Sequence, residues 1–159
     1  MALPQDPEVQ RELLHFIAKG DLAAMGFLSA IVELVYLADD AVDEDLAFDA
    51  RQKMMSRMLW IVMVELPRNP FWLMHQTVFS GLIAETLVFW AVSDDWKRTG
   101  DLKRKLFGYV RRENVDGIAV AVAAIMGGEA HAAQVVEELM RVCHEPSESF
   151  EDWCKEDRP

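Results

Sequence analysis

The chain has 159 residues, 52 % of them hydrophobic, which predicts one globular domain with a core of its own and argues against disorder. Its 27 acidic and 16 basic residues give a formal net charge of −11. An acidic surface repels the phosphate backbone, so nucleic acid is disfavoured as a partner.

Capping aspartates, prolines and glycines divide the chain into helical segments. Asp6 before Pro7 is typical of a helix start, and the Gly127-Gly128 pair is typical of a break. The segment 39–49 holds six acids and no base, and it is either a helix junction or the first turn of a third helix. The predicted helices are 7–19, 22–38, 39–66, 71–92, 102–113, 117–126 and 129–144.

These segments predict an all-α fold, namely a single-domain bundle of six or seven helices over residues 1–145. Residues 146–159 form an acidic C-terminal tail. Such a tail frays unless it is anchored, so we expect it to pack on the body or on a partner. Its apolar anchors are Phe150 and Trp153, which share one face of a short helix at i,i+3 spacing.

The chain begins without the basic and apolar regions of a signal peptide. The longest uninterrupted apolar run, residues 117–128, is shorter than a bilayer requires. The two cysteines, Cys143 and Cys154, form no CxxC motif and are expected to be free thiols in a reducing compartment. These features predict a cytoplasmic protein with no membrane span.

An acidic motif follows the second apolar segment and is the sharpest chemical feature of the sequence. At helical spacing its like charges repel one another unless a cation or solvent relieves them. Mg²⁺ takes oxygen ligands of this kind, often together with substrate phosphates. The alternative interpretation is a solvated acidic helix turn. The candidate metal ligands are Glu33, Asp39, Asp40, Asp43, Glu44 and Glu85.

The motif Asp39-Asp40-Ala41-Val42-Asp43-Glu44 resembles the first aspartate-rich motif of isoprenyl diphosphate and terpene synthases. That resemblance implies Mg²⁺ and a bound diphosphate, but it covers fewer than about twenty residues, and no second motif of the NDxxSxxxE type is present. The same residues also resemble the acidic turn of TerB-like helical domains, which have glycine where Asp40 stands.

A basic segment lies further along the chain, where seven of the sixteen lysines and arginines fall between residues 97 and 112. Guanidinium and ammonium groups could hold the phosphates of a substrate bound at the acidic motif. They could equally be solvated side chains that balance the negative charge of the acidic residues. The candidate phosphate-binding residues are Lys103, Arg104, Arg111 and Arg112.

Three segments, 58–64, 82–92 and 117–126, have no proper polar face. A domain of this size encloses one or two such helices, so some apolar surface is left for a partner. We therefore expect a non-enzymatic protein-interaction or regulatory domain, a homo-oligomer or the ligand of another protein, with contacts at Trp60, Phe150 and Trp153. The alternative is a Mg²⁺-dependent domain that binds or hydrolyses a phosphate or diphosphate compound.

Overall fold

The structure, a computed structural model, describes residues 6–43, 47–112, 115–144 and 149–155, without the side chains of 42 and 43. Within these ranges the chain is helical and has no strand, which confirms the all-α bundle. The helices are α1 (Pro7–Ile17), α2 (Leu22–Asp43), α3 (Phe48–Trp60), α4 (Pro70–Lys97), α5 (Leu102–Arg111), α6 (Asp116–Leu139) and α7 (Phe150–Trp153).

Local signals set most of the helix ends. The Asp6 carboxylate accepts a hydrogen bond from the backbone N–H of Glu8 at 2.8 Å and caps α1. The chain leaves α1 through Lys19 and Gly20, both at positive φ, which is a conformation that glycine adopts readily. α2 runs through the acidic residues to Asp43, so Asp39 and Asp40 belong to its last turns and do not open the next helix.

Between α3 and α4 the backbone passes through a π-helical turn, Ile61–Glu65, and a 3₁₀ turn, Leu66–Arg68. Asn69 then caps α4, because its side-chain oxygen accepts a hydrogen bond from the backbone N–H of Trp72 at 3.0 Å. The Asn69 amide nitrogen also donates to the carbonyl oxygen of Ala23 at 2.8 Å. This side chain ties the start of α4 to the start of α2.

The core lies among α1, α2, α6 and the first half of α4. Phe27 of α2 is fully buried and packs against Phe71 and Phe79 of α4, with ring centroids 5.7 and 4.6 Å away. Ile17 of α1 and Val122 of α6 are also fully buried. The most apolar part of α2 is therefore covered by neighbours.

α5 turns back along α4 as an antiparallel neighbour. A Cβ added to Gly108 would lie 3.2 Å from the carbonyl oxygen of Ser93 and 3.3 Å from the Cβ of Trp96. Further along α5, Arg111 lies 3.7 Å from Glu85 and its guanidinium stands over the ring of Phe89. The basic helix thus covers one side of the last three turns of α4.

α6 contains the break that the sequence predicts. Gly128 has φ 76° and ψ −174°, a backbone conformation that is almost exclusive to glycine. Just beyond it, the ring Nε2 of His131 lies 3.1 Å from the carbonyl oxygen of Ile17, which ties the second half of α6 to α1. A π-helical turn, Met140–His144, ends the segment.

The described helices overturn one expectation. Three of them are long and apolar enough to cross a membrane by length and composition: residues 22–41, 70–97 and 116–144. The prediction of no membrane span was therefore wrong, and so was the cytoplasmic location inferred from it. The expectation that a homo-oligomer or protein partner covers all the surplus apolar surface depended on the absence of a membrane span, and it is wrong for the same reason. Uninterrupted runs were the wrong criterion, because isolated residues such as Glu33 or Glu85 interrupt a run without making a long helix polar.

Candidate functional site

The side of α4 that faces away from the core is exposed and carries large apolar side chains together with polar Gln76, Thr77 and Ser80, and we call it the α4 outer face. Its five large side chains are each more than half exposed. They are Leu73 (52 %), Met74 (77 %), Val78 (51 %), Leu87 (56 %) and Val88 (61 %).

This face follows from helical periodicity. Phe71 and Phe79 are buried in the core, and Leu73 and Val88 project from the opposite side of the same helix; Met74 and Val78 lie at the margin between the two sides. Only 11 % of the most apolar window of α4 is buried, against 33 % in α2. Removing one fully exposed side chain of this size from water is worth about 1.5–3 kcal/mol, so together the five favour a non-aqueous neighbour by several kcal/mol.

The predicted phosphate-binding residues divide into two pairs, one at each end of α5, with Arg112 directly after its last residue. Lys103 and Arg104 are exposed at its first turn, with Arg104 3.7 Å from the capping Asp101. Arg111 and Arg112 lie at its far end against aromatic rings. The Arg111 guanidinium stands over Phe89, and the Arg112 guanidinium stands over Tyr109 and Trp153. α5 also exposes apolar side chains between its basic ones: Leu102, Leu106, Phe107 and Val110.

The predicted metal ligands are only partly brought together. Arg57 of α3 donates from Nε and Nη2 to the two carboxylate oxygens of Glu33, at 2.6 Å each. Arg57 also forms a hydrogen bond with Glu65. The hydrogen bond with Glu33, and after it the one with Glu65, raise the pKa of Arg57 above its ordinary value. Glu85 is paired with Arg111. Glu33 and Glu85 thus each face a guanidinium.

Asp39 and Asp40 are exposed at the end of α2, while the Asp43 side chain and Glu44 lie outside the described residues. Over the described ranges, no three His, Cys, Asp or Glu side chains form a group that could hold a metal ion. Magnesium binding at the acidic motif stays a prediction. The geometry gives it no support from Glu33, whose two oxygens already accept from Arg57.

The three predicted partner-contact residues differ in exposure. Trp60 is 53 % exposed, at the end of α3. Trp153 is only 2 % exposed, because its ring packs 5.7 Å from that of Tyr109 and beneath the ammonium of Lys97. Phe150 also meets the Tyr109 ring, at 5.5 Å. α7 therefore lies against α5 within the same chain.

A cavity of about 420 Å³ lies where α2, the α3 end with its π-turn, α4 and α6 meet, and we call it the central cavity. Aliphatic side chains, including Leu87 of the α4 outer face, and the Trp90 ring form most of its wall. Three polar residues also line it: Asp39, Thr86 and Arg112. Sequence reasoning missed this cavity, because its wall comes from four separate elements and no segment carries a local signal of it.

Comparisons with protein-family models, curated proteins and solved structures give no match.

Proposed function

We propose that this chain is a non-enzymatic interaction protein whose binding surface is a lipid membrane, which it contacts through the α4 outer face. The observation that carries the proposal is α4 itself. It is a 28-residue helix of membrane-compatible length and composition, and several of its large apolar side chains are not covered by the part of the chain that the structure describes.

The charge of the neighbouring helix supports this assignment. α5 packs beside the last turns of α4 and brings Lys103 and Arg104 to the surface of an otherwise acidic chain. A basic residue near an anionic membrane surface contributes about 1 kcal/mol to binding. In the proposed arrangement the last turns of α4 lie at the level of the lipid headgroups, and the Met74 and Val78 region lies deeper.

Flotation with phospholipid vesicles tests the proposal. The purified wild-type chain is expected to float with vesicles that contain anionic lipid. The Met74→Asp/Val88→Asp variant places two charges on the α4 outer face, and a charge within the hydrocarbon costs about 2.5–3.5 kcal/mol. We expect its vesicle affinity to fall at least about tenfold.

A matched control is available on α3, which is not among the candidate membrane helices. Met55 and Leu59 are 53 % and 57 % exposed, so the Met55→Asp/Leu59→Asp variant adds the same charges at side chains that are also more than half exposed. It should float like the wild type. Circular dichroism checks that both variants keep their helical fold. A wild-type chain that stays with the soluble fraction, or equal losses in the two variants, would contradict the proposal.

A further inference from the structure

An open groove of about 570 Å³ lies where the start of α2 meets the π-helical and 3₁₀ turns that precede α4, and we call it the α2 groove. Its volume falls within the range of ligand pockets, roughly 300–1,000 Å³. None of the five large side chains of the α4 outer face lines it. The α2 groove is therefore a separate candidate site, with a wall of its own.

The apolar part of the α2 groove has a flat side and an aromatic side. Ala23, Gly26 and Ala30 share one face of α2, and none of them has a side chain that extends beyond Cβ. The Trp60 ring, which is 53 % exposed, lines the groove as well. A planar aromatic ring suits this surface, because it can lie against the flat side and pack against the indole.

Arg68 is the charged residue of the wall that is left for a ligand. Glu65 accepts hydrogen bonds from Arg57 at both of its carboxylate oxygens. The Asn69 side chain is engaged at both ends, as the cap of α4 and as a donor to the carbonyl oxygen of Ala23. Arg68 is exposed, and it has no ion pair or hydrogen bond with any residue that the structure describes. Its guanidinium can therefore hold a carboxylate through two parallel N–H groups.

The backbone adds to the positive potential of Arg68. α4 begins at Pro70, in the wall of the α2 groove, and the N-terminal end of a helix carries a partial positive charge. The cap of this helix, Asn69, is neutral, so it does not cancel that charge. The nearby carboxylate of Glu65 is paired with Arg57, which weakens its repulsion of an anion. The groove therefore favours an anion over a neutral or cationic ligand.

We propose that the α2 groove binds a planar aromatic acid, with its ring between the flat side of α2 and the Trp60 indole and its carboxylate paired with Arg68. A neutral aromatic compound lacks the charge pair, and an aliphatic acid lacks the contact between rings. The proposal does not depend on the membrane contact, because the two surfaces share no residue and the acid binds in solution.

Isothermal titration calorimetry with the full chain in buffer free of lipid and detergent tests the proposal. The probes are 2-naphthoate, neutral 2-naphthylmethanol, cationic 2-naphthylmethylammonium and the aliphatic acid decanoate. We expect 2-naphthoate to bind at least about tenfold more tightly than each of the others. No binding of 2-naphthoate, or equal binding of the three naphthyl probes, would overturn the proposal. Decanoate that binds as tightly as 2-naphthoate would refute the aromatic ligand class.

A charge variant tests the role of Arg68. Arg68→Gln keeps a long polar side chain without the charge, so it should weaken 2-naphthoate at least about tenfold and leave 2-naphthylmethanol unchanged. Arg98→Gln, at the C-terminal cap of α4, is the matched control and should change neither probe. If Arg68→Gln weakens both probes equally, the arginine supplies packing and the proposed charge pair is wrong.

A second variant fills the α2 groove from its flat side. A Cβ at Gly26, which is exposed in α2, would meet the Asn69 Nδ2 at 3.4 Å, an ordinary contact, and leucine favours a helix over glycine. Gly26→Leu should therefore fold and lose at least about tenfold in affinity for both 2-naphthoate and 2-naphthylmethanol. Gly117→Leu is the control on α6, where nothing described lies within 4 Å of a Cβ. Unchanged binding by Gly26→Leu, or equal losses in the two variants, would place the ligand elsewhere.

The same titration separates the α2 groove from the membrane surface. The Met74→Asp/Val88→Asp variant should bind 2-naphthoate like the wild type, because neither residue lines the groove. A loss of 2-naphthoate in this variant would assign the probe to the α4 outer face and refute the groove. A chain that binds 2-naphthoate but does not float with vesicles would refute the membrane proposal alone, and the reverse result would refute the groove alone.

Discussion

α2 and α4 are both apolar helices long enough to cross a membrane, yet they have different surroundings. α2 has α1, α3 with its π-turn, and α4 as neighbours, and it buries Phe27, Leu28 and Ile31. α4 is covered at its start by α2 and along its last turns by α5, and the α4 outer face remains open. The difference shows that apolar composition favours burial of a helix, whereas the packing of neighbouring elements decides how much of that helix is buried.

The largest expected effect comes from truncating the shared aromatic core. Phe27→Ala removes a fully buried ring between Phe71 and Phe79, which should cost about 3–5 kcal/mol of unfolding free energy. Leu73→Ala on the α4 outer face should cost less than about 1 kcal/mol, because that side chain is 52 % exposed. Urea denaturation in detergent-free buffer measures both free energies, because detergent would itself cover the α4 outer face. Equal costs would show that the α4 outer face is covered in the isolated chain.

The break in α6 should be next in size. Gly128→Ala forces a side chain into a backbone conformation that costs about 1–3 kcal/mol for residues other than glycine. Gly117→Ala is the control, since a Cβ there meets nothing within 4 Å and alanine favours the helix by about 0.5–1 kcal/mol. Thermal unfolding of the two variants should therefore shift in opposite directions. A Gly128→Ala protein as stable as the wild type would mean that α6 can straighten.

A smaller effect is expected where α3 is fixed to α2. Arg57→Met removes the pairs with Glu33 and Glu65, whose side chains are 40 % and 37 % exposed. Water screens ion pairs at that exposure, so the loss should be about 1 kcal/mol or less. Raising the salt concentration should narrow the gap between variant and wild type. A gap that does not respond to salt would indicate lost packing of the arginine stem instead.

The smallest effect concerns α7 and pH. Hydrogen bonds from Ser149 and then from Lys155 hold the pKa of Asp152 below its ordinary value of 3.8. A carboxylate with a lowered pKa in the folded state stabilises that state above its unfolded pKa, and this contribution is lost as pH falls through the folded value. Fluorescence of Trp153 should therefore report loosening of α7 below about pH 3.8. Asp152→Asn should remove this pH step, and an identical step in the variant would assign it to another group.

Local signals predicted much of the helical layout. Asp6 and Asp101 mark helix starts because their side chains satisfy backbone N–H groups that the helix itself leaves open. The end of α2 was misplaced, since consecutive acids suggest a junction although a solvent-exposed helix end tolerates them. The candidate site was less accessible to such reasoning. Glu33 was chosen as a metal ligand, and its partner Arg57 lies 24 residues away with no local pattern to indicate it.

The sequence by itself determined the helical class, the break at Gly128, the net charge and the presence of more apolar helix surface than one small core can enclose. These properties depend on residues a few positions apart, or on simple sums over the chain. Only the tertiary structure decided that α2 is more buried than α4, and that residues of four elements line the central cavity. Burial and cavity shape depend on which distant segments pack together, and neither the periodicity nor the composition of the sequence predicts that packing.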